Sequence, residues 1–287
     1  MGENVHAGVG ASDASEAEEA AEEAVDSAIE NFKEDGGEVP ELGMVFTHGS
    51  NFGGKKKNFE HFAEKVENRL GGEEETDWMG GTSAGEIIQG DLKEKSTVVV
   101  LLSSEYLDFG IGIYNGVRSN PREGGKEGIS SALDDLGTDE YLNPYLKYLA
   151  SKQKDSAESF NTYEYFVMAI SPGLKLSGPG KEDEVVEGIF DVTGRRVPIV
   201  GGTTVHPGLR ENYQFYNGEL YEDALIVVAG SSGLKIGFSF AHGYQSTEHR
   251  GICTSSQDYV IEEIDGEDAI NRYADMMDTT ADDLWDT

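Results

Sequence analysis

The 287-residue sequence has a single cysteine, Cys253, and no long hydrophobic run. One cysteine excludes an internal disulfide bond and a cysteine-rich metal site. The longest purely apolar segments, such as residues 98–102, have the length of a strand, whereas a membrane helix needs about 20 apolar residues. The first ten residues also lack the pattern of a secretory signal. We therefore expect a cytoplasmic protein without membrane insertion.

Positive charge is scarce. The sequence has 22 Lys and Arg against 55 Asp and Glu, a formal net charge of −33 at pH 7. These cations are too few and too scattered to form a basic stripe, so the composition argues against nucleic acid as a partner. Acidic residues recur in nearly every polar stretch, a distribution that predicts a halophilic protein whose acidic surface is screened by salt.

Complete metal and phosphate motifs are also missing. No two histidines have the spacing of a metal site. Gly8-Val9-Gly10 lacks the third glycine of a dinucleotide fingerprint, and Gly53-Gly54-Lys55 lacks the leading glycine of a P-loop. The sequence therefore predicts no bound metal and no cofactor.

Short apolar segments alternate with helical patterns, which predicts an α/β fold with mixed β-sheets. The predicted strands cover residues 5–9, 42–47, 98–102, 109–114, 165–170 and 197–200, with further strands within 213–242. The first predicted helix begins at Ser12 or Ser15 and ends at Gly36-Gly37. Further helices are predicted over residues 59–70, 141–149 and 182–190.

Two parts of the chain share a series of short matches in the same order. Residues 79–83 match 200–204, and residues 103–104 match 231–232. Further matches join residues 44–46 to 166–168, 109–110 to 236–237, and Gly116 to Gly243. The nearly constant spacing predicts two tandem pseudo-repeated halves, residues 1–119 and 156–245, joined by a connector over 120–155.

The segment Gly81-Thr82-Ser83-Ala84-Gly85 fits G-x-S-x-G, the nucleophile elbow of serine hydrolases. It is similar to the GTSAG string of cyanophycinase and dipeptidase E type serine peptidases. An elbow needs a helix directly behind the serine, but only four residues separate Gly85 from Gly90. Glu86 would add negative charge where an oxyanion must form. A serine hydrolase using Ser83, with His48 or His242 as base, is therefore the alternative interpretation.

The other interpretation concerns both glycine segments. Gly-Gly followed by hydroxyl residues at a strand end is typical of a turn, which either faces a pocket or only reverses the chain. In a pocket, its amides and hydroxyls would hold a small polar ligand. Arg210 is a candidate partner for a ligand carboxylate or for a neighbouring acidic side chain.

Several strings together resemble the FIST family, the F-box and intracellular signal-transduction sensory domains. They are residues 78–87, 198–202 and 215–224, with the opening residues 9–12 and their Ala-rich helix. The likeness covers about residues 4–245, and residues 259–277 resemble the start of the family's C-terminal domain. On this basis we expect a haloarchaeal-type member, with an N-terminal domain over residues 1–245 and an incomplete C-terminal domain over 246–287.

The resemblance implies a sensory module for signal transduction that binds a small ligand, an amino acid or a related metabolite, and that works with a signalling protein as its partner. It favours a pocket beside the two glycine segments. The expected pocket residues are Gly80, Gly81, Thr82, Ser83, Gly85, Glu86, Gly201, Gly202, Thr203 and Thr204. Tyr213, Tyr216, Asn217 and Arg210 are expected to enclose the ligand.

The acidic composition makes stability depend on salt. We expect the midpoint of thermal unfolding to rise by several degrees between about 0.1 M and about 2 M KCl, because the Debye length falls from about 10 Å to about 3 Å or less. Circular dichroism melts across a KCl series measure this change. A midpoint that is constant or falls with KCl would contradict the halophilic interpretation.

Overall fold

A computed structural model describes residues 5–71, 76–88, 90–137, 164–234, 236–239, 242–257 and 259–285. The chain divides into two compact units, Met1–Gly237 and Phe238–Thr287. The helices are α1 (Ala17–Glu34), α2 (Lys56–Leu70), α3 (Pro121–Asp135), α4 (Glu182–Thr193) and α5 (Ala269–Met276). The strands are β1 (His6–Ser12), β2 (Leu42–His48), β3 (Asp77–Ser83), β4 (Glu86–Ile88), β5 (Asp91–Lys93), β6 (Thr97–Ser103), β7 (Leu107–Asn115), β8 (Glu164–Pro172), β9 (Ile199–Thr204), β10 (Gln214–Tyr216), β11 (Glu219–Tyr221), β12 (Ala224–Ser232), β13 (Cys253–Gln257), β14 (Val260–Ile264) and β15 (Glu267–Asp268).

Two mixed sheets form the first unit, so the predicted α/β class is confirmed. The first sheet has the order β1-β6-β2-β3-β10-β11, and the second has the order β7-β12-β8-β9. In the first, β2 and β3 are parallel and the other neighbours antiparallel. In the second, β8 and β9 are the parallel pair. The two sheets therefore share a four-stranded arrangement, β1-β6-β2-β3 in the first and β7-β12-β8-β9 in the second. In each, the first two neighbouring pairs are antiparallel and the last pair is parallel.

The division between the two sheets differs from the expected halves. Residues 107–115 were expected in the first half, but β7 pairs with β12 in the second sheet. The expected connector, residues 120–155, begins with α3. Its glycines allow close helix packing: a Cβ on Gly125 would lie 2.2 Å from the Val185 carbonyl oxygen of α4. The helix expected over residues 141–149 lies outside the described residues.

The two sheets pack face to face, with helices on their outer faces. In β2, Leu42, Met44 and Phe46 face the second sheet, while Val45 packs against α1 and α2. In β12, Ile226 and Val228 face the first sheet. Alternation along each strand thus gives four layers, helices, sheet, sheet and helices.

Glycines let a helix lie directly on the first strand of each sheet. A Cβ on Gly10 of β1 would lie 2.1 Å from the Ala24 carbonyl oxygen of α1, and one on Gly112 of β7 would lie 2.1 Å from the Gly128 oxygen of α3. Both distances are far below van der Waals contact. The close contact between strand and helix therefore requires glycine at each position.

The second unit contains the antiparallel sheet β13-β14-β15 and helix α5. Asp268 caps this helix, its side chain accepting a hydrogen bond from Asn271 N. Within the described residues of the whole chain, no helix is long and apolar enough to cross a membrane.

The packing of α1 on β1 can be tested with Gly10→Ala. We expect a loss of about 3 kcal/mol in the free energy of unfolding, because the added methyl group displaces the helix backbone. Urea unfolding in molar KCl measures it. Gly202→Ala is the matched control, since a Cβ there meets no atom within 4 Å. Equal stability of Gly10→Ala and the wild type would contradict the close approach.

Candidate functional site

A cavity of about 290 Å³ lies between the two sheets, and we call it the inter-sheet cavity. Both sheets contribute to its wall. The lining residues are Met44, Phe46, Met79, Thr82, Ser83, Met168, Ala169, Ile170, Val200, Gly201, Gly202, Thr203 and Thr204. Residues of the two expected glycine segments therefore meet at one hollow.

The glycine pairs lie inside strands, and their expected assignment to turns is wrong. Gly80 and Gly81 belong to β3, and Gly201 and Gly202 belong to β9. A Cβ on Gly80 would lie 1.7 Å from the Val45 oxygen, and one on Gly201 would lie 1.9 Å from the Ala169 oxygen. Glycine is needed because each strand passes close to the backbone of its parallel neighbour.

Backbone hydrogen bonds join the end of β3 to the residues that follow β9 and β2. Val205 N donates to Thr82 O at 2.9 Å, and Gly49 N donates to Ser83 O at 2.8 Å. The methyl group of Thr204 fills the space beside Gly81, where an added Cβ would lie 2.3 Å from Thr204 Cγ2. Beside Gly202 an added Cβ meets nothing within 4 Å. The cavity is therefore asymmetric and lies against β9.

Two of the four expected hydroxyl donors have structural partners. Thr82 Oγ1 accepts a hydrogen bond from Tyr213 N at 2.9 Å. Thr204 Oγ1 donates to Asn212 Oδ1 at 3.0 Å and accepts from Gln214 Nε2 at 2.6 Å. Both threonines are 2% exposed, so their hydroxyls hold the strand ends together rather than offering a ligand a bond.

Ser83 and Thr203 remain at the cavity. Ser83 Oγ donates to Glu86 Oε1, and Ser96 Oγ donates to Glu86 Oε2 at 2.6 Å. Because the Ser83 hydrogen is directed at a carboxylate, the oxygen of this hydroxyl is an acceptor. Thr203 is exposed and lines both the inter-sheet cavity and a hollow on the α4 side of β9. The cavity rim thus offers one acceptor and one donor.

The same contacts argue against a nucleophilic Ser83. Residues 86–93 form the hairpin of β4 and β5, where an elbow would have a helix to stabilise an oxyanion. The expected base His48 lies beside Ser83 in the register of β2 and β3, but its Nδ1 is 2.8 Å from Ser50 Oγ. The other expected base, His242, belongs to the second unit.

The expected enclosing residues do not line the inter-sheet cavity. Tyr213 packs against Phe59 with ring centroids 5.2 Å apart, on the helix side of the first sheet, and burial raises the pKa of its phenol. Tyr216 lies among the apolar residues between the sheets. Asn217 accepts a hydrogen bond from Trp78 N at 2.8 Å and supports the turn between β10 and β11.

Arg210 is exposed and also outside the cavity lining. It lies close to His206, whose pKa is lowered by burial and then by the charges of Arg210 and His48. His206 Nδ1 accepts a hydrogen bond from Gly208 N at 2.9 Å, which requires an unprotonated nitrogen. Both the burial of His206 and this hydrogen bond favour its neutral form beside the charged Arg210.

Gly85 and Glu86 shape the region behind Ser83. Gly85 has φ 153° and begins the hairpin of β4 and β5. Glu86 is 5% exposed and does not line the cavity. No group of three or more His, Cys, Asp or Glu side chains among the described residues could hold a metal ion.

Sequence reasoning missed the apolar wall of the cavity. Met44, Met79 and Met168 line it together with Phe46, Ile170 and Val200. Their signal is the alternation of side chains along β2, β3, β8 and β9, but alternation does not show that two sheets face each other. The lining contains no charged side chain.

A larger groove of about 720 Å³ lies at the start of α1. Glu16, Glu18, Glu19 and Glu22 line it with His61 and residues near Phe52. It contains none of the glycine-segment residues. The inter-sheet cavity is the better candidate site because both sheets build it and it has an apolar wall with a polar rim.

The sequence matches the FIST N domain family over residues 41–267. Over 92 residues the chain is 34% identical to uncharacterized protein MJ1623 of Methanocaldococcus jannaschii. The matched segment covers 31% of this chain and 18% of that protein. The chain thus matches less than a fifth of the length of this relative.

A solved structure, cyanuric acid hydrolase from A. caulinodans, is similar with a TM-score of 0.30 and 10% sequence identity. The similarity covers 78% of this chain and 70% of that chain. These values are too low to assign a shared fold.

Proposed function

Because this chain belongs to the FIST family, a family of sensory signal-transduction domains, we propose that it detects a small ligand bound in the inter-sheet cavity. The observation that supports this proposal is the meeting of β3 and β9 at a cavity with an apolar wall and a polar rim. A volume of about 290 Å³ suits a metabolite rather than a polymer.

The proposed ligand is an amino acid with an apolar side chain, or a related metabolite. Met44, Met79, Met168 and Ile170 would contact its apolar part. Thr203 Oγ1 can donate to a carboxylate, and Ser83 Oγ, whose hydrogen is directed at Glu86, can accept from an ammonium group. The strongly negative chain disfavours a ligand with net negative charge.

In this proposal Arg210 is not the carboxylate partner. It is exposed and does not line the cavity, and no other cation lines it. A zwitterion suits such a site because its carboxylate can accept a hydrogen bond from the Thr203 hydroxyl and its ammonium group can donate one to the Ser83 oxygen. Signal output would require a protein partner.

A thermal-shift screen of the common amino acids and their 2-oxo and amide derivatives, in molar KCl, tests the proposal. An apolar amino acid at about 100 times its Kd should stabilise the fold by about 2.7 kcal/mol and raise the unfolding midpoint by about 5 °C or more. Gly202→Val should lose this shift, because its side chain enters the cavity without meeting protein atoms.

Gly237→Val is the matched control, since a Cβ there also meets nothing within 4 Å and Gly237 lies outside the cavity. It should keep the full shift. The proposal is wrong if no compound shifts the midpoint, or if Gly202→Val responds like the wild type.

A further inference from the structure

Strand β9 has an open edge. It is the last strand of the second sheet, and residues 200–203 are exposed. Val167 N donates to Pro198 O at 2.9 Å, which fixes the side of β9 that faces β8. Because backbone groups alternate along a strand, the N–H and C=O groups of Ile199, Gly201 and Thr203 face away from β8. No strand in the described part of the chain pairs with them.

Two other edge strands, β1 and β7, are capped by side chains. At β1, Ala7 N donates to Asp35 Oδ2 at 3.0 Å, and Asn31 Nδ2 donates to Val9 O at 2.7 Å. At β7, Ile111 N donates to Asp135 Oδ2 at 2.8 Å. Among the described residues, no side chain caps β9 in this way.

The sequence of β9 also lacks the usual protection of an edge strand. Residues 199–204 read Ile-Val-Gly-Gly-Thr-Thr, without charge or proline. Natural proteins protect exposed edges with charges, proline or a covering element, because unpaired backbone groups invite another strand. An uncharged open edge in a chain of net charge −33 indicates a surface that binds an added strand.

The first sheet shows what binds such an edge. Strand β3 occupies the position there that β9 occupies in the second sheet. Its outer edge pairs with β10 in antiparallel register, Gln214 opposite Gly81, Phe215 opposite Gly80 and Tyr216 opposite Met79. The matching segment of β9 is residues 200–202.

Hollows lie on both faces of this edge. One is the inter-sheet cavity. The other, the helix-side hollow, has a volume of about 260 Å³ and is lined by Val185 and Val186 of α4, with Glu182 at the start of the helix. Residues 200–203 line both hollows. Alternate side chains of an added strand point to opposite faces, so they would reach one hollow each.

We propose that the open edge of β9 binds an extended segment of a partner protein as an added antiparallel strand, with apolar side chains at alternate positions and no net negative charge. A second copy of this chain is disfavoured because it would bring another charge of −33 to a strand, residues 199–204, that has no cationic side chain. This inference goes beyond ligand binding, since it assigns the surface that contacts a partner.

The probe is a fluorescein-labelled peptide with the sequence of residues 210–217, which contains β10 and has one Arg and one Glu. Fluorescence anisotropy in molar KCl measures its binding to the full chain. We expect saturable binding with a Kd below about 1 mM. The same peptide N-methylated at Phe215 should bind at least about tenfold more weakly, because a central hydrogen bond is lost.

Two protein variants locate the peptide. Val186→Trp fills the helix-side hollow, and Thr203→Pro removes an N–H that faces the open edge; each should weaken peptide binding at least about tenfold. Val9→Trp is the control, since Val9 is 42% exposed on a distant strand. Val186 does not line the inter-sheet cavity, so Val186→Trp should keep the thermal shift given by the small ligand.

The proposal is overturned if the peptide does not bind at about 1 mM, or if the wild type, Val186→Trp and Thr203→Pro bind it equally. It is also overturned if sedimentation shows a wild-type dimer that Thr203→Pro abolishes, because the edge then pairs with a second copy. If no small ligand shifts the unfolding midpoint of the wild type but the peptide binds normally, the proposed function is contradicted and the strand-binding proposal stands.

Discussion

The face-to-face packing of two mixed sheets is the constraint on which the site depends. Each sheet presents one set of alternating side chains to the other, and their contact buries Leu42, Met79, Ile226 and Val228. The sheets do not close fully at β9, because Gly202 offers no side chain. At β3 the equivalent space is filled by the Thr204 methyl group. The cavity thus lies beside a position of β9 that no side chain fills.

Local patterns in the sequence predict much of the fold. The spacing of Ala20, Ala24, Ala28 and Phe32 predicts an amphipathic helix, and all four side chains are fully buried in α1. Apolar segments likewise predict β2, β6 and β8 with errors of a few residues at their ends. These elements are predictable because periodicity is a local property of the chain.

Long-range pairing is not predictable in the same way. The segment of β7 is a clear strand in the sequence, but nothing local shows that it pairs with β12 rather than with β6. Glycine causes the other errors, because it marks close backbone approach as well as turns. Close approach explains why Gly80 and Gly201 lie within strands and why Gly125 of α3 faces helix α4. For the site, the sequence predicts the residues of β3 and β9 but not the apolar wall that faces them.

Strand β9 connects the two proposals. Its residues form one wall of the inter-sheet cavity, and its backbone forms the open edge of the second sheet. A ligand that contacts Val200 and Thr203 would therefore touch the same residues that an added strand would use. By linkage, any effect of ligand on partner affinity must be matched by an equal effect of partner on ligand affinity.

Methionine methyl NMR tests the occupancy of the inter-sheet cavity most directly. Of the six methionines, Met44, Met79 and Met168 line the cavity, whereas Met276 and Met277 lie in the second unit. Titration with the amino acid that gives the largest thermal shift should move the methyl signals of Met44, Met79 and Met168 together, with one Kd, and leave Met276 and Met277 unchanged. Saturable binding that leaves the three cavity signals in place would contradict the account.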